Sequence, residues 1–123
     1  MPLDTPILFA ATTDAKRARV YYEEVLGLPL VADDHFALVF KVGALVLRIQ
    51  KVAHKPKIDY TVLGWMVSDI EAEIRRLTRA GVRFSRHEGL DQDKLGVWRS
   101  PTGAKVAWFS DPDGNTLSLT EQK

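Results

Sequence analysis

A pattern written twice constrains this chain more than any other feature. Thr13-Asp14 precedes a helical stretch, Ala15 to Leu26, that stops at Gly27-Leu28. Ser68-Asp69 precedes a second, Ile70 to Ala80, that stops at Gly81-Val82. In the first, Ala18, Tyr22, Val25 and Leu26 fall on one face, with Lys16, Arg17, Glu23 and Glu24 on the other. In the second, Ile70, Ile74 and Leu77 recur at helical spacing. Asp supplies a side-chain cap at each start, and Gly a residue free to reverse the chain at each end. The offset between the two is about 55 residues, the mark of a repeated unit.

The flanking segments complete the unit. Ile7 to Thr12 is an apolar run with a polar end, expected as a buried strand. Strands are also expected over Leu28 to Val31, Phe36 to Val42 and Ala44 to Gln50, with Asp33-Asp34 and Gly43 as turns. The second half offers Tyr60 to Val67, then Val82 to Arg86, Gly96 to Ser100, Lys105 to Phe109 and Thr116 to Thr120. Each half therefore reads strand, helix, then about three strands. The expectation is an α+β fold of two βαβββ modules in a single domain: residues 1–52, a linker at 51–59 rich in basic residues and carrying Pro56, and residues 60–123.

Composition closes off several functions. A chain of 123 residues with 46% apolar and 27% charged residues is one domain with an ordinary core. Its net charge of +1 supplies no field for a polyanion, so nucleic acid is not an expected partner. Without cysteine there is no disulfide, thiolate metal site or cysteine nucleophile. No apolar run reaches a membrane span, and no basic segment precedes Ile7-Leu8-Phe9 as in a secretory signal, which leaves the cytoplasm as the default location.

The stretch Trp108-Phe109-Ser110-Asp111-Pro112-Asp113-Gly114-Asn115-Thr116-Leu117-Ser118-Leu119 carries turn chemistry between two β-prone segments and reads as a hairpin. Its letters resemble the last hairpin of the vicinal oxygen chelate superfamily, the glyoxalases, bleomycin-resistance proteins and extradiol dioxygenases. The phrase Tyr21-Tyr22-Glu23-Glu24-Val25-Leu26-Gly27-Leu28 resembles the first-module helix exit of the same family. The resemblance covers nearly the whole chain. It implies a curved mixed sheet with helices on the convex side and a ligand pocket on the concave side. Members are commonly homodimers, and that is the expectation here.

Metal-dependent members hold their ion on four pocket-facing strand positions. Carried over residue by residue, these fall at Ile7, Arg48, Val62 and Ser118, the Arg48 register being the least fixed. Ile7 and Val62 have no donor atom, Arg48 is a permanent cation, and Ser118 stands where the family has a metal-binding Glu. Divalent ions prefer imidazole and carboxylate. The resemblance therefore implies neither metal nor other cofactor, and it argues against metal-dependent glyoxalase or dioxygenase chemistry.

What remains is a pocket of mixed character. Ile7, Phe9, Val62 and Met66 are expected to line it, with Gly64 leaving room, Trp98 and Trp108 as flat walls, and Arg48, Gln50 and Ser118 as polar anchors. By strand alternation Phe109 and Trp65 should face the helix instead. His35, His54 and His87 share no ligand spacing and are expected in solvent, although His87-Glu88 with Asp91 and Asp93 is a weak candidate for a pocket mouth. No serine sits in a nucleophile elbow. The leading reading is a metal-independent protein that binds a small, partly aromatic or polar molecule. Alternatives are a metal-independent enzyme of the same superfamily and a metalloenzyme with ligands at unexpected positions.

Overall fold

The computed structural model describes residues 3–122. The chain divides into two compact units. One runs through Ile58 and also takes in Pro112–Asn115; the other comprises Asp59–Asp111 and the chain from Thr116 onward. Each contains its own four-stranded mixed sheet.

In the first unit the order along the chain is β1 (Leu8–Thr12), α1 (Ala15–Val20), β2 (Leu30–Asp33), β3 (Ala37–Val42) and β4 (Leu45–Lys51). The sheet runs β1-β4-β3-β2, with β1 parallel to β4 and the other pairs antiparallel. Asp14 is the N-cap of α1, its side chain accepting from the Arg17 N–H. The helix does not continue to Leu26 as α-helix. Tyr21–Val25 is a π-helical turn, in which the Leu26 N–H donates to the Tyr21 carbonyl at 2.9 Å. Tyr22 lies fully buried against Phe40, ring centroids 5.8 Å apart, and the Leu28 N–H closes back on the Tyr22 carbonyl. That closure, followed by Pro29, is why the next strand starts at Leu30 rather than Leu28. Its Val31 is bulged out of register between Leu30 and Ala32. The core of this unit is Ala18, Tyr22, Leu38, Phe40, Leu47 and Ile49.

The second unit contains β5 (Thr61–Met66), α2 (Ile70–Arg79), β6 (Trp98–Arg99), β7 (Lys105–Ser110) and β8 (Thr116–Glu121). The order is β5-β8-β7-β6, with β5 parallel to β8. The first amides of α2 are shared: Asp69 accepts from the Ala72 N–H and Glu121 from the Ile70 N–H. The buried face of α2 is Ile70, Ile74 and Leu77, as its spacing predicts, and the sheet contributes Leu63, Ala107, Phe109, Leu117 and Leu119.

Two expected strands shrink. Val82 to Arg86 forms no ladder; only Phe84 bridges β7, at Phe109. Gly96 to Ser100 reduces to Trp98 and Arg99, because Gly96 has φ +91° and the Asp93 carboxylate takes the N–H groups of Leu95 and Val97, which makes a turn there.

Candidate functional site

In each unit one sheet face packs on its own core and the other carries most of the expected site residues. Strand alternation assigns the faces. In the second unit the helix-free face has a row in which Gly64, Ser118 and Trp108 lie side by side on β5, β8 and β7. The next row is Met66, Thr120, Val106 and Trp98. The Trp98 and Trp108 rings are 6.0 Å apart and inclined at 34°. Ser118 is nearly buried, and its hydroxyl lies over Gly64, in the space a Cβ there would need. Phe109 points the other way, fully buried, with Trp65 stacked on it at 6.5 Å and Phe84 tilted against it at 5.2 Å. Val62 departs from the expected row: Thr61 and Leu63 pair with the consecutive Thr116 and Leu117, so Val62 is an extra residue in a bulge.

The loop position of His87 predicts a side chain in solvent. It is exposed, yet its ring stands edge-on to Trp108 with centroids 5.0 Å apart. The contact is set by a knitted loop. The Gln92 side chain donates to the carbonyls of Ser85 and Gly96 and accepts the His87 N–H at 2.6 Å. Arg86 adds bonds to the carbonyls of Gln92 and Lys94, and the Ser85 N–H donates to the Trp108 carbonyl at 2.7 Å. Gln92 is the residue that the sequence reading missed. Its only signal is an amide side chain, able to donate and accept at once, in the middle of a long loop.

In the first unit Phe9 and Arg48 are cross-strand partners on β1 and β4, as are Ala11 and Gln50. Val39 and Ala37 flank them on β3. Arg48 is half-buried, while Ile7, Phe9 and Gln50 are exposed. Arg48 acts electrostatically on Asp34. The chief cause of the lowered Asp34 pKa is local, however: the N–H groups of Phe36 and Ala37 donate to that carboxylate.

Among the expected site residues, the donors on these faces are the Ser118 hydroxyl, lying over Gly64, the Arg48 guanidinium and the Gln50 amide; Thr120 adds a second hydroxyl in the next row. Among the described residues no group of three His, Asp or Glu lies close enough to hold a metal ion.

Two βαβββ modules, each with a mixed sheet and a helix-free face bearing aromatic and polar side chains, define the glyoxalase-like class of α+β folds. The family model described as Glyoxalase/Bleomycin resistance protein/Dioxygenase superfamily matches residues 7–119, and the chain belongs to that superfamily. Its backbone is similar to a protein from Bacillus anthracis provisionally described as a glyoxalase family protein (TM-score 0.77, 17% identity, 100% of this chain and 98% of that one). It is also similar to a lactoylglutathione lyase from Agrobacterium tumefaciens (0.75, 16%, 98% and 95%). A third likeness is a superfamily member from Sphaerobacter thermophilus (0.74, 23%, 98% and 100%). At these identities the likeness is one of fold. No curated protein matches the chain.

Proposed function

We propose that this protein binds a small, flat, partly aromatic or polar molecule, without a divalent metal, on the helix-free face of the second unit. The observation that carries the reading is the Trp98–Trp108 pair, 6.0 Å apart, with His87 edge-on to Trp108. Trp108 is half-buried, so part of its ring surface is open to a planar ligand. Stacking on it would gain both buried area and ring–ring attraction. Gly64 keeps the far end of the Trp108 row low, and Ser118 offers a hydroxyl between them.

The absence of suitable metal donors at Ile7, Arg48, Val62 and Ser118 supports the metal-independent part. Arg48 and Gln50, beside Phe9 on the first unit's sheet, are read as polar anchors on that face. The reading extends to a homodimer. Phe9 is 49% and Met66 69% exposed, large apolar side chains that a partner would cover.

The test is a thermal-shift screen of planar heteroaromatic compounds, followed by tryptophan quenching and turnover assays on each hit. The expected result is saturable quenching that disappears in Trp108→Ala, with no turnover. One equivalent of Zn, Ni, Fe or Mn per chain, lost in Ser118→Ala, overturns the metal-independent reading. A scattering mass of one chain at tens of micromolar overturns the dimer.

A further inference from the structure

A groove distinct from that face lies beside the C-terminal half of α2. It is an open groove of about 400 Å³. Its floor is apolar: Ile74 from α2, then Val82, Phe84 and Leu95. Its rim is basic: Arg83, Arg86 and Lys94 line it, and no acidic residue does. We propose that this groove binds a small amphipathic carboxylate, its chain on the apolar floor and its carboxylate against the basic rim.

The first argument is charge. Among the described residues none of these three cations has a carboxylate partner, although seven ion pairs occur elsewhere. On a chain with nearly balanced charge, three cations around one groove without a counter-charge favour an anion. The second argument is preorganisation. Arg86 is already held by the carbonyls of Gln92 (3.2 Å) and Lys94 (2.8 Å). Carbonyl contacts fix a guanidinium without neutralising it, so little side-chain freedom remains to be lost on binding. Arg83 and Lys94 are both exposed and line the same groove, so their long side chains can reach a carboxylate bound there. The third argument is size. The volume lies near the lower end of small-ligand sites, which suits a single short acyl chain rather than a peptide helix. The floor gives affinity without direction, and the rim selects the sign of the head group.

The test is a titration of isotope-labelled protein with octanoate, with acetate and octylammonium as controls, followed by backbone amide shifts. Octanoate should shift the amides of Thr78, Val82, Arg83 and Leu95 with saturation near or below about 1 mM. Acetate should leave them in place, and octylammonium should bind at least tenfold more weakly, since it meets like charge. Arg83→Glu combined with Lys94→Glu should weaken octanoate at least about tenfold at an unchanged melting temperature. Leu95→Ser should weaken it without changing the rim. Equal binding of octylammonium, shifts confined to β5 and β8, or no saturable shift up to about 10 mM overturns the proposal.

Discussion

Ser118 and Gly64 face each other across the parallel β5–β8 pair, and the serine hydroxyl fills the volume that a side chain at position 64 would occupy. The two positions are therefore coupled. Gly64→Ala should lower stability by about 1–3 kcal/mol, because Ser118 is nearly buried and has little room to turn away. In a Ser118→Gly background the same alanine should cost clearly less. Chemical denaturation of the two single variants and the double variant measures the coupling. Additive losses would show that the hydroxyl is not the obstacle.

Trp108 and Phe109 are neighbours on β7 with opposite fates. Phe109→Ala empties a fully buried site between Trp65 and Phe84 and should cost about 3–5 kcal/mol. Trp108→Ala removes a half-buried ring and should cost less, while abolishing quenching by any planar ligand. Thermal melts of both variants check the order. A Trp108→Ala variant that melts as low as Phe109→Ala and still binds would remove the basis of the proposed site.

Asp113 gives the protein an acid limit. Burial alone pushes its carboxyl up. The hydroxyl of Thr12, the N–H and hydroxyl of Thr13 and the charge of Arg17 together outweigh this and hold it below the usual carboxylate range. A carboxylate depressed in the folded state contributes stability above its unfolded pKa, about 4. That contribution is lost as pH falls through the folded value. Asp33, lowered chiefly by Lys51, and Asp34 act in the same direction. Asp113→Asn should therefore destabilise at neutral pH by about 1–3 kcal/mol. Its deficit should shrink as pH drops below about 4. Urea midpoints from pH 7 to pH 2.5 test the sign, and a deficit that grows in acid would refute it.

Gln92→Ala breaks the three bonds that the Gln92 side chain makes across the loop between Ser85 and Val97. The expected result is faster amide exchange at His87 and Val97 with α2 protection unchanged, and a loss of about 1–3 kcal/mol. Gln92→Glu should not rescue it, because a carboxylate can accept from His87 but cannot donate to the carbonyls of Ser85 and Gly96.

The double pattern of cap, helix and glycine was legible because each of its parts is local. Asp14 and Asp69 cap, and Gly27 and Gly81 adopt φ of +76° and +105°. Alternation likewise separated Phe109 from Trp108 without knowledge of the partner strands. What escaped depends on residues distant in the chain or on single insertions. The bulges at Val31 and Val62 shift register by one residue, which no period-two pattern reveals. The π turn at Tyr21–Val25 keeps helical periodicity too closely to be separated from it. The strand expected at Val82 to Arg86 had suitable letters. Its Ser85 N–H reaches β7 at the Trp108 carbonyl, but the Ser85 carbonyl accepts from the Gln92 side chain, and the pairing goes no further.

The bonds of Thr12 and Thr13 to Asp113, and of Asn115 to the Ala11 carbonyl, close over more than 95 intervening residues. The first unit includes Pro112–Asn115, yet all the rest of it lies before residue 59. On the ribosome, then, the N-terminal sheet can form early, but the hydroxyl of Thr12 has no native acceptor at position 113 until most of the second unit has been synthesised. Through that interval the Thr12 hydroxyl is left with the Asp14 carbonyl and water, so the bonds that close the end of β1 are among the late native contacts of the growing chain.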